Sequence, residues 1–259
     1  MKKLGIYLSI FLIVLFFVFP FIGVILEGDN IKNWSYVIHN SKTCEAIYNS
    51  VIISLIAIVI NIVLGTPVAS ILAKHDFFGR KIVELLVLLP LVIPSFVTTM
   101  GIQFLFIKLG LIDTILGVGI IHSVVTFPYY IRSIKAGYSV INRNYEKMGR
   151  VMGATPLEIF FKINLPMLLP AFIAGISLIV IVSFAQYIIT LIIGGGGILT
   201  IPILMFPYIS GGDIKIGAVY SAVYILINLI LLIFLETAIG KLVKTKSSSR
   251  NKGEDSDSN

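Results

Sequence analysis

Hydrophobic positions in this chain gather in long runs and do not alternate with polar ones. Six stretches free of Asp, Glu, Lys and Arg, Leu4 to Leu26, Ala46 to Ala73, Leu85 to Ile107, Thr114 to Ile131, Met167 to Ile193 and Ile216 to Leu235, are joined by segments that hold the charges. About 20 apolar residues in helical form cross the roughly 30 Å of bilayer hydrocarbon, so each run predicts one membrane span. Backbone polar groups have no water to bond there, which makes helix the expected form of every run. The pattern predicts an all-α, polytopic membrane protein with a transmembrane domain over residues 1–245 and a polar tail, 246–259, expected to be disordered.

One connecting stretch breaks the pattern. The segment 136–166 ends in "GRVMGATPLEIFFKINLP", residues 149–166, which has a helix-start signal far from any span start. Thr155 can cap a helix, Pro156 suits its first position, and Glu158 can return a bond to the cap amide. Pro166 disfavours helix at Leu165 and lacks an amide proton, so the short helix is expected to end there. Leu157, Ile159, Phe160, Phe161 and Ile163 make it too apolar for a solvated loop. Either it packs on the protein's own helix ends or it docks on a partner, and Gly153-Ala154 before the cap would let the backbone turn tightly or approach another chain closely.

Composition agrees with the membrane reading: 57% of the 259 residues are hydrophobic and 13% charged. The net charge of +7 is distributed unevenly. With the N-terminus inside, sixteen Lys and Arg fall in inner segments, and only Lys32, Lys42, Lys108 and Lys215 fall outside. That bias places both termini in the cytoplasm and accounts for the positive charge without nucleic acid. The first run follows Lys2 and Lys3, but it is longer than a signal-peptide core and no small-residue cleavage site precedes Glu27, so it is read as a retained helix. Cys44 is the only cysteine, which excludes an intrachain disulfide and a cysteine-based metal site.

The residues of the loop carry a family resemblance. "GRVMGATPLEIFFKINLP" resembles the signature loop of inner-membrane permease subunits of binding-protein-dependent ABC importers: a Glu-Ala-Ala triplet, a Gly three residues on, then I-x-L-P. Gly153 matches the glycine, Ala154 the small residue after it, and Ile163, Leu165 and Pro166 the closing motif. The triplet falls on Lys147, Met148 and Gly149, with Glu146 the nearest acidic residue. "NSVIISLIAIVINIVLGTPVASILAK" and "FFGRKIVELLVLLPLVIPSFV" are similar to the second and third helices of such permeases. The resemblance implies a type I importer permease fold in a bacterial cytoplasmic membrane. It makes Glu146, Gly153 to Glu158, Phe160, Phe161, Ile163, Leu165 and Pro166 a coupling helix that sits on an ATP-binding subunit. It also implies a second permease subunit, with a different chain favoured over a second copy, and an external solute-binding protein. ATP and Mg would bind the partner, and this chain would hold no cofactor. The stretch "SFAQYIITLIIGGGGILTIPILMFPYISGGD" is similar to permeases grouped with polyamine, ferric-iron, thiamine and aminoethylphosphonate importers.

Polar residues inside the runs are the candidates for a translocation path: Gln103, Ser183, Gln186, Tyr187, Thr190 and Asn228. Ser183, Gln186 and Thr190 recur at i, i+3 and i+7, on one face of a continuous helix. Hydroxyls and amides of this kind also simply bond helix to helix. His122 is an ionisable group inside a span, a functional candidate or a hydrogen-bonding one; with His39 and His75 at other depths, no metal site forms. The glycines at 194–197 lack a following Gly-Lys-Ser/Thr and read as an outer turn. No P-loop is present, so energy comes from a partner or a gradient. An ion-coupled secondary transporter is the alternative, but Glu84, Asp113, Asp213 and Glu236 all lie near span ends. No nucleophile and base arrangement supports an intramembrane enzyme.

Overall fold

The computed structural model describes residues 2–28 and 30–254. No strand occurs among them. In chain order the helices are α1 (Lys2–Glu27), α2 (Ile31–His39), α3 (Ser41–Ile60), α4 (Thr66–Lys74), α5 (Arg80–Val92), α6 (Ser95–Lys108), α7 (Ile115–Val140), α8 (Asn144–Val151), α9 (Pro156–Ile159), α10 (Leu165–Phe184), α11 (Ile188–Ile193), α12 (Ile201–Ser210) and α13 (Ile214–Glu254). Two π-helical turns, Asn61–Gly65 and Phe160–Asn164, join α3 to α4 and α9 to α10 without interrupting the rod. The long rods that result are Ser41–Lys74 and Pro156–Phe184.

Four of the described helices are long and apolar enough to cross a membrane: Ser41–Lys74, Ile115–Val140, Pro156–Phe184 and the Ile214–Thr237 part of α13. The third expected run is not one straight helix. It bends by 103° between α5 and α6, because Ile93 precedes Pro94 and takes an extended conformation with ψ 128. The pair counts as a fifth crossing only if taken together. The first expected run coincides with α1, whose apolar part is Ile10–Val24.

Three further expectations are corrected. Leu165-Pro166 does not end a short helix. The π turn shifts the hydrogen-bond register, with the Leu165 amide reaching the Phe160 carbonyl, and α10 begins with Pro166 in its first turn, where a missing amide proton costs nothing. The fifth run is broken at residues 185–187, between α10 and α11, so Ser183, Gln186 and Thr190 do not share one helical face. The tail expected to be disordered from 246 is helical to Glu254 as a continuation of α13, since extending an existing helix needs no new nucleus; residues 255–259 lie outside the described residues.

The described residues divide into two compact units. The smaller comprises residues up to Asn49 together with Leu199–Ile227. Its hydrogen bonds join sequence-distant helices: Tyr36 Oη to Tyr208 Oη at 3.0 Å, Thr43 Oγ1 to Tyr220 Oη at 3.2 Å, and Asn49 Nδ2 donating to the Leu199 carbonyl at 2.9 Å. The Tyr208 and Tyr220 rings stack with centroids 5.3 Å apart.

The larger unit, Ser50–Ile198 with residues from Asn228 onward, is built around α7. Of the candidate spans α7 is the most buried, which makes it the central post. Its Tyr130 is fully buried, and its hydroxyl bonds Thr66 Oγ1 at 2.8 Å. Gly65 and Gly175 flank the ring: a Cβ would stand 2.8 Å from one edge and 2.9 Å from the other. Small residues at such crossings let helices approach closely, which is how packing replaces the hydrophobic effect inside lipid.

Candidate functional site

The loop between the second and third of those long helices folds as a helix, a tight turn and a second helix start. Helix α8 ends at Gly153, whose φ of +80 places it in the left-handed region. The Gly153 amide donates to the Arg150 carbonyl at 3.0 Å and the Ala154 amide to the Gly149 carbonyl at 2.9 Å, the paired bonds of a Schellman stop. The next residue, Thr155, opens α9. Its hydroxyl accepts from the Glu158 amide at 3.3 Å while its own amide donates to Glu158 Oε2 at 3.0 Å, which completes the capping box. Lys162 donates to Glu158 Oε1 at 2.8 Å. At this exposed turn, outside the apolar run, Lys162 and the Thr155 donors hold the Glu158 carboxyl at about 2, well below the usual range.

Within the chain, the glycine at a close approach is Gly149. Nothing in the chain lies within 4 Å of a Cβ built on Gly153, where the fold itself requires the left-handed backbone angle. A Cβ on Gly149 would meet Ile163 Cδ1 at 3.0 Å and Ile159 Cγ1 at 3.3 Å. Gly149 is buried there, and α8 lies directly on the π turn.

Glu146, the residue whose part the sequence left open, ties α8 to the end of α4. Its Oε1 lies 2.6 Å from Lys74 Nζ, with both side chains largely buried. Lys74 Nζ also stands 4.4 Å from the centre of the Tyr138 ring. Arg143 Nη2 adds a bond to the Ala73 carbonyl at 3.2 Å.

These contacts decide which apolar groups remain free. Ile159 is buried, and Phe160, Ile163, Leu165 and Pro166 are half-buried against the chain's own helices. Tyr145, Met148 and Val151 on α8 and Met152 at its C-terminal cap are exposed, together with Leu157 and Phe161. The two phenylalanines meet edge to face at 5.1 Å, so Phe160 turns inward and Phe161 outward. The outward face therefore belongs mainly to α8, upstream of the helix the sequence singled out. Its signal was there to find: apolar residues at 145, 148 and 152 follow helical spacing within an otherwise polar segment.

A second polar feature lies at the break in the fifth run. His122 on α7 is buried, its Nδ1 2.8 Å from Ser183 Oγ and its Nε2 2.9 Å from Thr190 Oγ1. Ser54 Oγ donates to Ser183 Oγ at 3.0 Å, and Thr190 Oγ1 donates to the Gln186 carbonyl at 2.8 Å. Each hydroxyl has one proton to give, so the chain has a direction: Ser54 to Ser183 to Nδ1, then Nε2–H to Thr190 to the Gln186 carbonyl. It is satisfied by a neutral imidazole. Ser183 and Thr190, separated by the helix break, are thus reunited on one side chain. Gln186 spends its Nε2 on the Val182 carbonyl at 3.1 Å, and Gln186 and Tyr187 are half-buried. Gln103 on α6 and Asn228 on α13 are half-buried. Among the described residues no cluster of His, Cys, Asp and Glu suits a metal ion.

Comparison with known proteins gives these elements a family. The model of the "binding-protein-dependent transport system inner membrane component" family matches residues 65–243. A molybdate/tungstate transport system permease protein of Methanocaldococcus jannaschii is 28% identical over 252 residues, covering 91% of this chain and 96% of the relative. One from Pyrococcus abyssi is 27% identical over 211 residues, covering 79% and 82%. The molybdenum transport system permease protein of Mycobacterium tuberculosis is 28% identical over 196 residues, covering 70% and 73%. In fold, the chain is similar to a bacterial alginate ABC transporter crystallised with an alginate-bound periplasmic protein, at TM-score 0.68, 15% identity and coverage of 94% and 96%. It is also similar to the inward-facing MetNI methionine ABC transporter, at TM-score 0.56, 19% identity and coverage of 77% and 94%. These relatives are named for molybdate, tungstate and molybdenum, which replaces the polyamine, iron, thiamine and phosphonate grouping expected from the sequence. The chain is a membrane permease subunit of the ABC importer class, a transport protein and not an enzyme, and it belongs to the binding-protein-dependent transport system inner membrane component family.

Proposed function

We propose that this chain forms half of the pathway through which an ATP-driven importer carries a tetrahedral oxyanion, of the molybdate, tungstate or sulfate kind. Supporting this is the naming of its relatives, which includes a probable sulfate transport system permease protein of Nephroselmis olivacea at 28% identity. The chemistry of the interior is compatible. A dianion is repelled by buried carboxylates, and the buried polar groups of the spans are hydroxyls, amides and one histidine held by two hydroxyls. Weak neutral donors suit an ion that must enter and leave. The six crossings, with both termini in the cytoplasm, remain part of this proposal.

The coupling role is assigned to α8 and the turn at Gly153, with Glu146 as the tie to the spans. The observation that carries it is the exposed apolar face of Tyr145, Met148, Val151 and Met152 on a helix fixed to α4 by Lys74. Such a face on a short charged helix requires a protein cover. The cover is an ATP-binding subunit, a second permease chain completes the pore, and an external binding protein delivers the ion.

Uptake of labelled molybdate, tungstate and sulfate into cells lacking this gene, with and without the restored chain, tests the substrate class. An uncoupler should leave uptake intact as long as ATP is maintained. Restoration of none of the three ions would refute the oxyanion reading and leave the permease assignment standing.

A further inference from the structure

The loop between α4 and α5 exposes aromatic rings where the chain has no cover for them. His75 to Gly79 connects Lys74 to Arg80, and Gly79 turns it with φ +87. Phe78 is fully exposed, and Phe77 is 40% exposed. They border an open cavity of about 630 Å³ whose lining also includes Arg80, Lys81 and Lys135. Arg80 pairs with Asp76 and with Glu84 at 3.2 Å, and Lys135 pairs with Glu84 at 2.7 Å. Lys81 enters no ion pair among the described residues.

Position in the fold says what meets these groups. The uncharged run of the preceding rod ends at Ala73, and Leu85 opens the next. Both ends of the loop therefore sit where hydrocarbon gives way to headgroups, whichever side of the membrane that is. The apolar surface also continues past the loop: Ile82, Leu85 and Leu86 on α5 are exposed by more than half, and no residue of α5 is buried. Phe78 thus extends an apolar face that the chain leaves exposed. Phenylalanine beside a lysine is the composition of an interfacial anchor, with the ring at the acyl boundary and the ammonium among phosphates.

We propose that residues 77–82 form a lipid-binding site, in which Phe77 and Phe78 enter the membrane interface and Lys81 takes the phosphate of an anionic phospholipid. Arg80, neutralised by its two carboxylates, shapes the cavity and holds the loop against the start of α5. The site rests on the membrane location of the chain and not on its transported ion or its docking helix.

The test uses the full chain with Trp34→Phe and Phe78→Trp, which leaves a single indole, in nanodiscs of equal parts phosphatidylcholine and phosphatidylglycerol. Bromines are placed on the upper acyl chain of one lipid or the other. The indole is expected to be quenched by both, and about fivefold more effectively per brominated lipid by phosphatidylglycerol, the enrichment one lysine gives near a surface. Lys81→Gln should remove that preference while leaving the quenching. Phe78→Cys with Cys44→Ser, carrying a spin label, gives an independent reading: collisions with oxygen should exceed those with a water-soluble nickel chelate. No quenching, or quenching abolished once the ATP-binding subunit is assembled on the chain, overturns the proposal. Equal quenching by the two lipids in the Lys81 chain overturns the headgroup assignment.

Discussion

Glu146 Oε1 lies 2.6 Å from Lys74 Nζ, and this pair joins a helix outside the apolar runs to the end of one inside them. Removing one partner of a pair so shielded leaves the other charge uncompensated, which costs more than losing a surface ion pair, whose median is about 0–1 kcal/mol. Glu146→Gln should loosen α8 by about 1–3 kcal/mol. The variant is expected at normal membrane levels with uptake reduced, and the exchange Lys74→Glu with Glu146→Lys should recover part of it. Full uptake in Glu146→Gln would remove the pair from the coupling path.

Two glycines should fail in different ways. Gly153→Ala must hold an L-residue at positive φ, at a cost of about 1–2 kcal/mol, and has open space for its methyl. Gly149→Leu meets the side chains of Ile159 and Ile163 and cannot keep α8 seated. Co-purification with the ATP-binding subunit should be weakened by the first and abolished by the second. Comparable retention of the subunit by both variants would show that close packing under α8 is irrelevant to docking.

The exposed face of α8 offers a cleaner discrimination. Val151→Asp and Met152→Asp touch no internal packing, so expression and thermal stability should hold while subunit binding and uptake are lost, as for interface anchors worth about 2 kcal/mol or more. Phe160→Ala should instead lower stability, because that ring faces inward. If Phe160→Ala alone abolished binding with stability unchanged, the docking surface would lie on α9.

His122 distinguishes the importer from its gradient-driven rival. His122→Ala removes the acceptor for the Ser183 proton and the donor to Thr190 Oγ1, at a cost of about 1–3 kcal/mol, and should lower the melting temperature. His122→Gln can accept from Ser183 and donate to Thr190, so stability and uptake should largely return. Loss of uptake in His122→Gln with stability intact would mean that the imidazole carries protons.

Topology is open to direct labelling. In a Cys44→Ser chain, Lys42→Cys and Lys147→Cys should react with an impermeant maleimide from opposite faces. Reaction from the same face would reject the arrangement of crossings proposed above.

What the sequence showed and what it hid follow from the range of the forces involved. Thr155, Pro156 and Glu158 were legible because capping closes within four residues. Pro166 was misread because a proline in the first turn of a helix that continues from a π turn looks, in sequence, like a proline that ends one. Proline alone does not decide such cases: Pro90, Pro128 and Pro170 sit inside helices, whereas Pro94 sits at a 103° bend. The meeting of Ser183 and Thr190 was not legible as such, since a side chain on another helix brings them together across the break. Gly149 was missed because nothing local distinguishes a glycine under a neighbouring helix from any other.

The rod from Pro156 to Phe184 begins at the capped turn and ends one residue short of the break held by His122. Its 29 residues make it about 43 Å long at 1.5 Å per residue. A rigid bar of that length acts as a lever. A tilt of about 5° around its midpoint would move each tip by about 2 Å in opposite directions. Such a displacement exceeds what a hydrogen bond of about 2.9 Å tolerates. Force applied at the turn would thus be felt at the hydroxyls of Ser183 and Thr190 without crossing any loop.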